Sequence, residues 1–133
     1  MGHKNTDPSK IATLMEQCAE HGFLPFHVKK DSMGYIYNRI WSAIKRETLL
    51  LLEEGVCAPQ EVDSIFREVL QTPKGPCELM DKVGLDVVLE IEENYAKARS
   101  GIPPQPREFV QKMIQDGKLG MKSGKGFYDY SKS

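Results

Sequence analysis

Apolar residues recur at helical spacing through most of this chain, and the longest such pattern runs from Asp31 to Glu54. Ile36, Ile40, Ile44, Thr48 and Leu51 follow one another at intervals of four, four, four and three, and Tyr37, Trp41 and Leu52 widen that face. A stripe this broad predicts a helix of about 30 Å, buried on more than one side. Asn38 lies one turn inside its start, where a short amide can be presented to something outside the helix. On spacing alone it reads as a surface or first-turn residue.

The flanking pattern is also helical. Asp7-Pro8 pairs a capping side chain with proline at the first helical position. Ile11, Leu14, Met15, Cys18 and Ala19 then mark one face, and Gly22 ends the helix. Phe23 to Val28 is a short apolar run that reads as a strand, which Pro25 confines to an edge or a first position. One strand has nothing to pair with, so this opening reads as the last helix–strand unit of a sheet domain whose remainder is elsewhere. Downstream, Ala58-Pro59 begins a helix carrying Val62, Ile65, Phe66, Val69 and Leu70, and Pro76 begins a shorter one carrying Cys77, Leu79, Met80 and Val83 to Gly84. A further helix is expected over about Asp86 to Ser100, with Val87, Val88, Ile91 and Tyr95 inward and Glu90, Glu92 and Glu93 outward. Gly101 to Pro106 reads as a rigid connector outside any helix. Phe109, Val110, Met113 and Ile114 mark a last helix ended by Gly117. The tail from Gly120 to Tyr130 is glycine-rich and then alternates aromatic and polar residues. No internal repeat is visible.

Composition narrows the function classes. The 133 residues are 40% hydrophobic and 28% charged, with a net charge of −1, ordinary for one globular domain. Lys and Arg are interspersed with Asp and Glu, so there is no nucleic-acid footprint. The densest apolar run, Leu49 to Leu52, is far short of the roughly 20 residues of a membrane span. Cys18, Cys57 and Cys77 are odd in number and widely spaced, which argues against a disulfide framework or a zinc site and for a reducing, intracellular setting. There is no signal-peptide pattern, and Met1-Gly2-His3 reads as vector-derived within a non-structural start at residues 1–6.

Chemistry-bearing motifs are sparse. The glycine-rich tail fails as a phosphate loop, because Leu119 stands where the first glycine is needed and Gly126 where Ser or Thr is needed. No strand–GxGxxG–helix unit exists. His3, His21 and His27 have no partners at ligand spacing, so no metal site is expected. Glu53-Glu54 and Glu92-Glu93 read as solvated helix faces, and Asp81 as a turn cap or a ligand contact. Phe127 and Tyr128 are expected to dock on the helices. From the residues alone, the chain is a helical domain with the stub of a sheet.

The motifs in combination are more informative. Lys30-Asp31-Ser32-Met33-Gly34-Tyr35-Ile36-Tyr37-Asn38-Arg39-Ile40 is followed by Glu47, by Glu54-Gly55 and by Glu61-Val62-Asp63. Lys74-Gly75-Pro76-Cys77-Glu78-Leu79-Met80-Asp81 then runs into Gly84-Leu85-Asp86, and Gly120-Met121-Lys122-Ser123-Gly124-Lys125-Gly126-Phe127-Tyr128 closes the series. Taken together, these pieces resemble, from about Asp7 to Tyr130, the C-terminal part of 3-hydroxyacyl-CoA dehydrogenases. The resemblance implies an all-α, multi-helix domain of the 6-phosphogluconate dehydrogenase C-terminal-like type at residues 30–130, preceded at 7–29 by the end of a Rossmann domain.

It further implies an NAD-dependent oxidation of 3-hydroxyacyl-CoA to 3-ketoacyl-CoA, in fatty-acid metabolism. The family's His–Glu proton-transfer pair belongs to the upstream dinucleotide domain and matches neither His21 nor His27, so this chain alone is expected to be inactive. The family's active-site Asn falls on Asn38, which would hold and polarise by hydrogen bonding. The family's cofactor-facing Lys falls on Lys122. Ser32 joins the substrate-side candidates, together with Met33, Tyr35 and Cys77, which stand where the family usually has Pro, Phe and Phe. Those departures keep open a hydroxy-acid substrate of the L-gulonate type, or a free-standing, non-catalytic module. A homodimer is expected from the breadth of the long helix's apolar face.

Overall fold

The computed structural model describes residues 2–131, which form six α-helices and no strand: α1 (Pro8–Glu20), α2 (Tyr37–Glu53), α3 (Pro59–Leu70), α4 (Pro76–Val83), α5 (Leu85–Ala98) and α6 (Gln105–Gln115). A 3-10 turn at Met121–Ser123 follows. The chain divides into two compact units, one running to Ile40 and the other starting at Trp41.

In the first unit, α1 begins as its sequence directs. Asp7 accepts the Ser9 N–H at 2.9 Å, and Pro8 takes the first helical position. The helix ends where Gly22, at φ +81°, turns the chain and the Phe23 N–H reaches the Cys18 carbonyl. Ile11, Met15 and Cys18 are half-buried and Leu14 is exposed. The expected strand at Phe23–Val28 is a correction: this segment has no ladder in the described residues. Its apolar run has the composition of a strand, but a strand exists only by pairing. The start of the long helix is a second correction. Gly34 at φ +75° and Tyr35 at φ +52° form a left-handed step that no helix can pass through, so α2 begins at Tyr37 and Asn38 is its second residue, not a full turn inside.

The second unit is built on one core. Leu49 and Leu52 of α2 meet Val62 of α3, Cys77 and Met80 of α4, Leu85 and Val88 of α5, and Val110 of α6. Burying each large aliphatic side chain contributes about 1.5–3 kcal/mol. Phe127 and Tyr128 of the tail pack against this cluster, as their alternation predicts. Pro106, expected in a connector, instead lies buried in the first turn of α6. Proline is tolerated there because the first turn's N–H groups have no intrahelical acceptor.

Two sequence expectations about helix faces are corrected. Of the apolar face expected on α2, Thr48 and Leu52 are buried and Trp41, Ile44 and Leu51 half-buried, but Ile36, Tyr37 and Ile40 are 47%, 69% and 58% exposed. The buried side of α2 is carried by Ser42, Lys45, Thr48, Leu49 and Leu52. Glu92, expected on the solvated face of α5, is 1% exposed. Its two oxygens accept Nε of Arg46 at 2.8 Å and Nη2 at 3.1 Å. The Arg46 guanidinium in turn lies 5.7 Å from the centre of the Tyr95 ring. A buried carboxylate needs such a partner, and only the pairing of α2 with α5 supplies it.

Candidate functional site

Four of the sequence candidates share the first unit. Ser32 lies in the loop before α2, where its hydroxyl accepts a hydrogen bond from Arg39 at 3.0 Å. The Tyr35 N–H donates to the Ser32 carbonyl at 3.0 Å, closing a turn over Met33 and Gly34. Met33 and Tyr35 are 39% and 57% exposed. Asn38 is the second residue of α2 and is exposed. The left-handed step and the Arg39–Ser32 bond together fix how this loop enters the helix, and so fix the site from which Asn38 projects. In the same unit, Phe26, Val28, Tyr35, Ile36, Tyr37 and Ile40 line an open apolar hollow of about 600 Å³. Such a hollow can take the hydrocarbon portion of a ligand.

Lys122 and Cys77 belong to the second unit. Cys77 is fully buried in the core, and burial beside Asp63 pushes its thiol far up. With no exposed surface it cannot meet a substrate, which corrects its place among the substrate-side candidates. It fills core volume as a small hydrophobe. Lys122 is 44% exposed and pairs with Asp86 at the N-terminal end of α5. The hydrogen bond from Lys122 holds the Asp86 carboxyl below the usual carboxylate range. The lysine crosses Gly84, where an added Cβ would stand 2.8 Å from Nζ and 2.9 Å from Cε. Glycine at φ +106° there both joins α4 to α5 and leaves the lysine its path.

Two buried carboxylates organise this region: Asp63, to which the sequence assigned no role, and Asp81, expected as a turn cap or a ligand contact but bonded to the tail. Asp63 of α3 accepts the N–H groups of Cys77 at 2.8 Å and Glu78 at 3.0 Å, capping α4 from a neighbouring helix, and accepts Tyr128 Oη–H at 2.7 Å. Asp81 of α4 accepts the N–H groups of Phe127 at 3.0 Å and Tyr128 at 3.1 Å, and Tyr130 Oη–H at 3.0 Å. Burial pushes the Asp81 carboxyl up, against the opposing pull of those donors. The Tyr128 and Tyr130 phenols are pushed up by burial and by the carboxylates they face. A signal was present: Asp81 sits on the apolar face that Cys77 and Met80 define on α4, where a carboxylate must find donors.

Among the described residues, no group of three or more His, Cys, Asp or Glu side chains is arranged to hold a metal ion. No helix among them is long and apolar enough to cross a membrane. With no strand among them either, they do not form a dinucleotide fold.

Comparison with known proteins agrees with this architecture. The chain is 41% identical over 127 residues to the 3-hydroxyacyl-CoA dehydrogenase-like protein LAM1 of Cochliobolus heterostrophus, a match covering 93% of this chain and 27% of that protein. It is 37% identical to a probable 3-hydroxybutyryl-CoA dehydrogenase of Deinococcus radiodurans, covering 97% of this chain and 46% of the relative. The crystal structure of (S)-3-hydroxybutyryl-CoA dehydrogenase from Ralstonia eutropha superposes with a TM-score of 0.80 at 31% identity, over 96% of this chain and 44% of that one. The chain thus spans less than half the length of these relatives. The family model for the 3-hydroxyacyl-CoA dehydrogenase C-terminal domain matches residues 34–130, a stretch that holds Asn38 at its head and Lys122 near its end, and the chain belongs to that family.

Proposed function

We propose that this chain is the substrate-side domain of an NAD-dependent 3-hydroxyacyl-CoA dehydrogenase and is inactive without a dinucleotide-binding domain. The observation that carries the reading is the family match over residues 34–130, with Asn38 exposed at the head of α2 and an apolar hollow in the same unit. The relatives' names specify hydroxyacyl-CoA substrates, which favours a thioester over a free sugar acid.

In this reading Asn38 is the active-site residue the chain contributes. A carboxamide does not titrate near neutral pH, so it can only donate and accept hydrogen bonds. Its work is to hold the substrate oxygen at which charge changes as the hydroxyl becomes a carbonyl. The hydride-accepting chemistry would be supplied by a bound NAD. The proton-accepting pair comes from outside this chain. Ser32 and Tyr35 shape the loop from which Asn38 projects, Met33 borders the substrate, and Lys122 offers its ammonium toward the cofactor.

The test has two arms. The chain alone, given NAD and 3-hydroxybutyryl-CoA, is expected to form no NADH; measurable turnover would overturn its dependence on a second domain. In an enzyme that joins this domain to a dinucleotide-binding domain, Asn38→Ala is expected to lower kcat about 10²–10³-fold with a smaller change in KM. An unchanged kcat would remove Asn38 from the site.

A further inference from the structure

The segment from Leu119 to Tyr130 forms a strap closed on Asp81 at both ends. At its beginning, the Leu119 carbonyl accepts the Leu85 N–H at 3.2 Å, and Gly120 lies so close to Asp81 that an added Cβ would stand 2.3 Å from the Asp81 carbonyl oxygen. At its far end, the Asp81 carboxylate gathers the N–H groups of Phe127 and Tyr128 and the hydroxyl of Tyr130. Between these points the strap is bonded to itself. The Gly120 N–H meets the Lys125 carbonyl at 2.8 Å, and Ser123 Oγ accepts the Leu119 N–H at 2.9 Å and donates to the Lys125 carbonyl at 2.9 Å. Lys122 is carried on this closed loop, directly over Gly84.

A half-exposed lysine with four rotatable bonds ordinarily samples many positions. Here its backbone is held from both sides and its stem crosses a residue with no side chain, so the ammonium arrives at Asp86. We propose that Asp81 is a positioning residue for Lys122: through the strap it presents the lysine's ammonium at the N-terminal end of α5. In the enzyme this delivers a pre-oriented cation on the cofactor side, a role that rests on the reading of Lys122 given above. Asp81 itself is fully buried and acts only through the loop it holds.

The experiment is an NMR titration of the full chain, following the Asp86 carboxyl and the Lys122 Cε resonances in wild type, Asp81→Asn and Tyr130→Phe. In wild type, Asp86 titrates below the ordinary value of 3.8 because Lys122 bonds to it. In Asp81→Asn its midpoint should rise toward 3.8 and the Lys122 signals should collapse to those of a freely rotating lysine, with helical circular dichroism retained. Tyr130→Phe removes one of the three donors and should move both readouts part of the way; it is the deciding variant if Asp81→Asn does not fold. A lower melting temperature with Asp86 and Lys122 unmoved would mean that Asp81 only stabilises the fold, and would overturn the proposal. In the joined enzyme, Lys122→Ala should weaken NADH binding several-fold, read by nicotinamide fluorescence. Unchanged NADH affinity would overturn the cofactor role of Lys122. A still-moving Asp86 titration would tell that outcome from a failure of the strap.

Discussion

Replacing Glu92 by Gln should destabilise this chain more than almost any other isosteric change. The substitution keeps the shape of the side chain and removes its charge. Arg46 is 11% exposed and Glu92 1%, and the two hydrogen bonds between them are 2.8 and 3.1 Å long. Lys45, on the same helix as Arg46, is also buried, at 4% exposure. Burial pushes the Lys45 ammonium below its usual range, and Glu92 is the anion that opposes that shift. Without Glu92, two cations remain beside one another with no buried counter-charge. Removing one partner of a buried pair costs about 3–5 kcal/mol, against a total stability of roughly 5–15 kcal/mol for a typical domain. The assay is urea denaturation followed by circular dichroism, with m compared so that a change in midpoint reads as a change in stability. Arg67→Ala is the control, because the Arg67–Glu78 pair is 39% and 28% exposed and should contribute about 1 kcal/mol or less. The triple substitution Lys45→Met, Arg46→Met and Glu92→Met should recover most of the loss, since well-packed apolar residues often match a buried ionic cluster. A loss below about 1 kcal/mol for Glu92→Gln would refute the burial and the pairing together.

Three other outcomes follow from the same structure. Gly126→Ala would place a Cβ 2.0 Å from Asp81 Oδ1 and should strip the tail from the core, whereas Gly124→Ala, in open space at φ +74°, should cost only about 1 kcal/mol of backbone strain; thermal melts separate the two. Because burial raises the Asp81 carboxyl in the folded chain, that state binds its proton more readily than the unfolded one. Wild type should therefore gain stability relative to Asp81→Asn as the pH falls toward the ordinary carboxylate value of 3.8, and lose that gain as the pH rises through the folded value; denaturation midpoints across that range would show a flat difference if the group were not buried. Under native conditions a thiol reagent should modify the half-buried Cys18 and Cys57 well before Cys77, and mass spectrometry showing Cys77 labelled at the same rate would contradict its place in the core.

The helices, the proline starts of α1, α3 and α4 and the family motifs were legible along the chain, because helix propagation, capping and proline's lack of an N–H are local. Asp7-Pro8, Ala58-Pro59 and Pro76 each begin a helix where the residue types require one. The site was legible only as residue types. The sequence shows that Asn38 heads a helix and that Lys122 lies in a glycine-rich tail, but not that a left-handed Tyr35 sets the start of that helix or that Lys122 crosses Gly84 to Asp86. Nor does helical periodicity tell a solvated glutamate from a buried one: Glu92 and Glu93 are neighbours of like charge, and only the approach of α2 brings Arg46 to one of them. Asp63 and Asp81 make the same point, since their donors stand on segments far along the chain. Local chemistry therefore determined the elements of this domain. The partners of its buried charges, and through them the placement of its tail, were decided by tertiary packing, because a charge loses its water only when distant segments close over it.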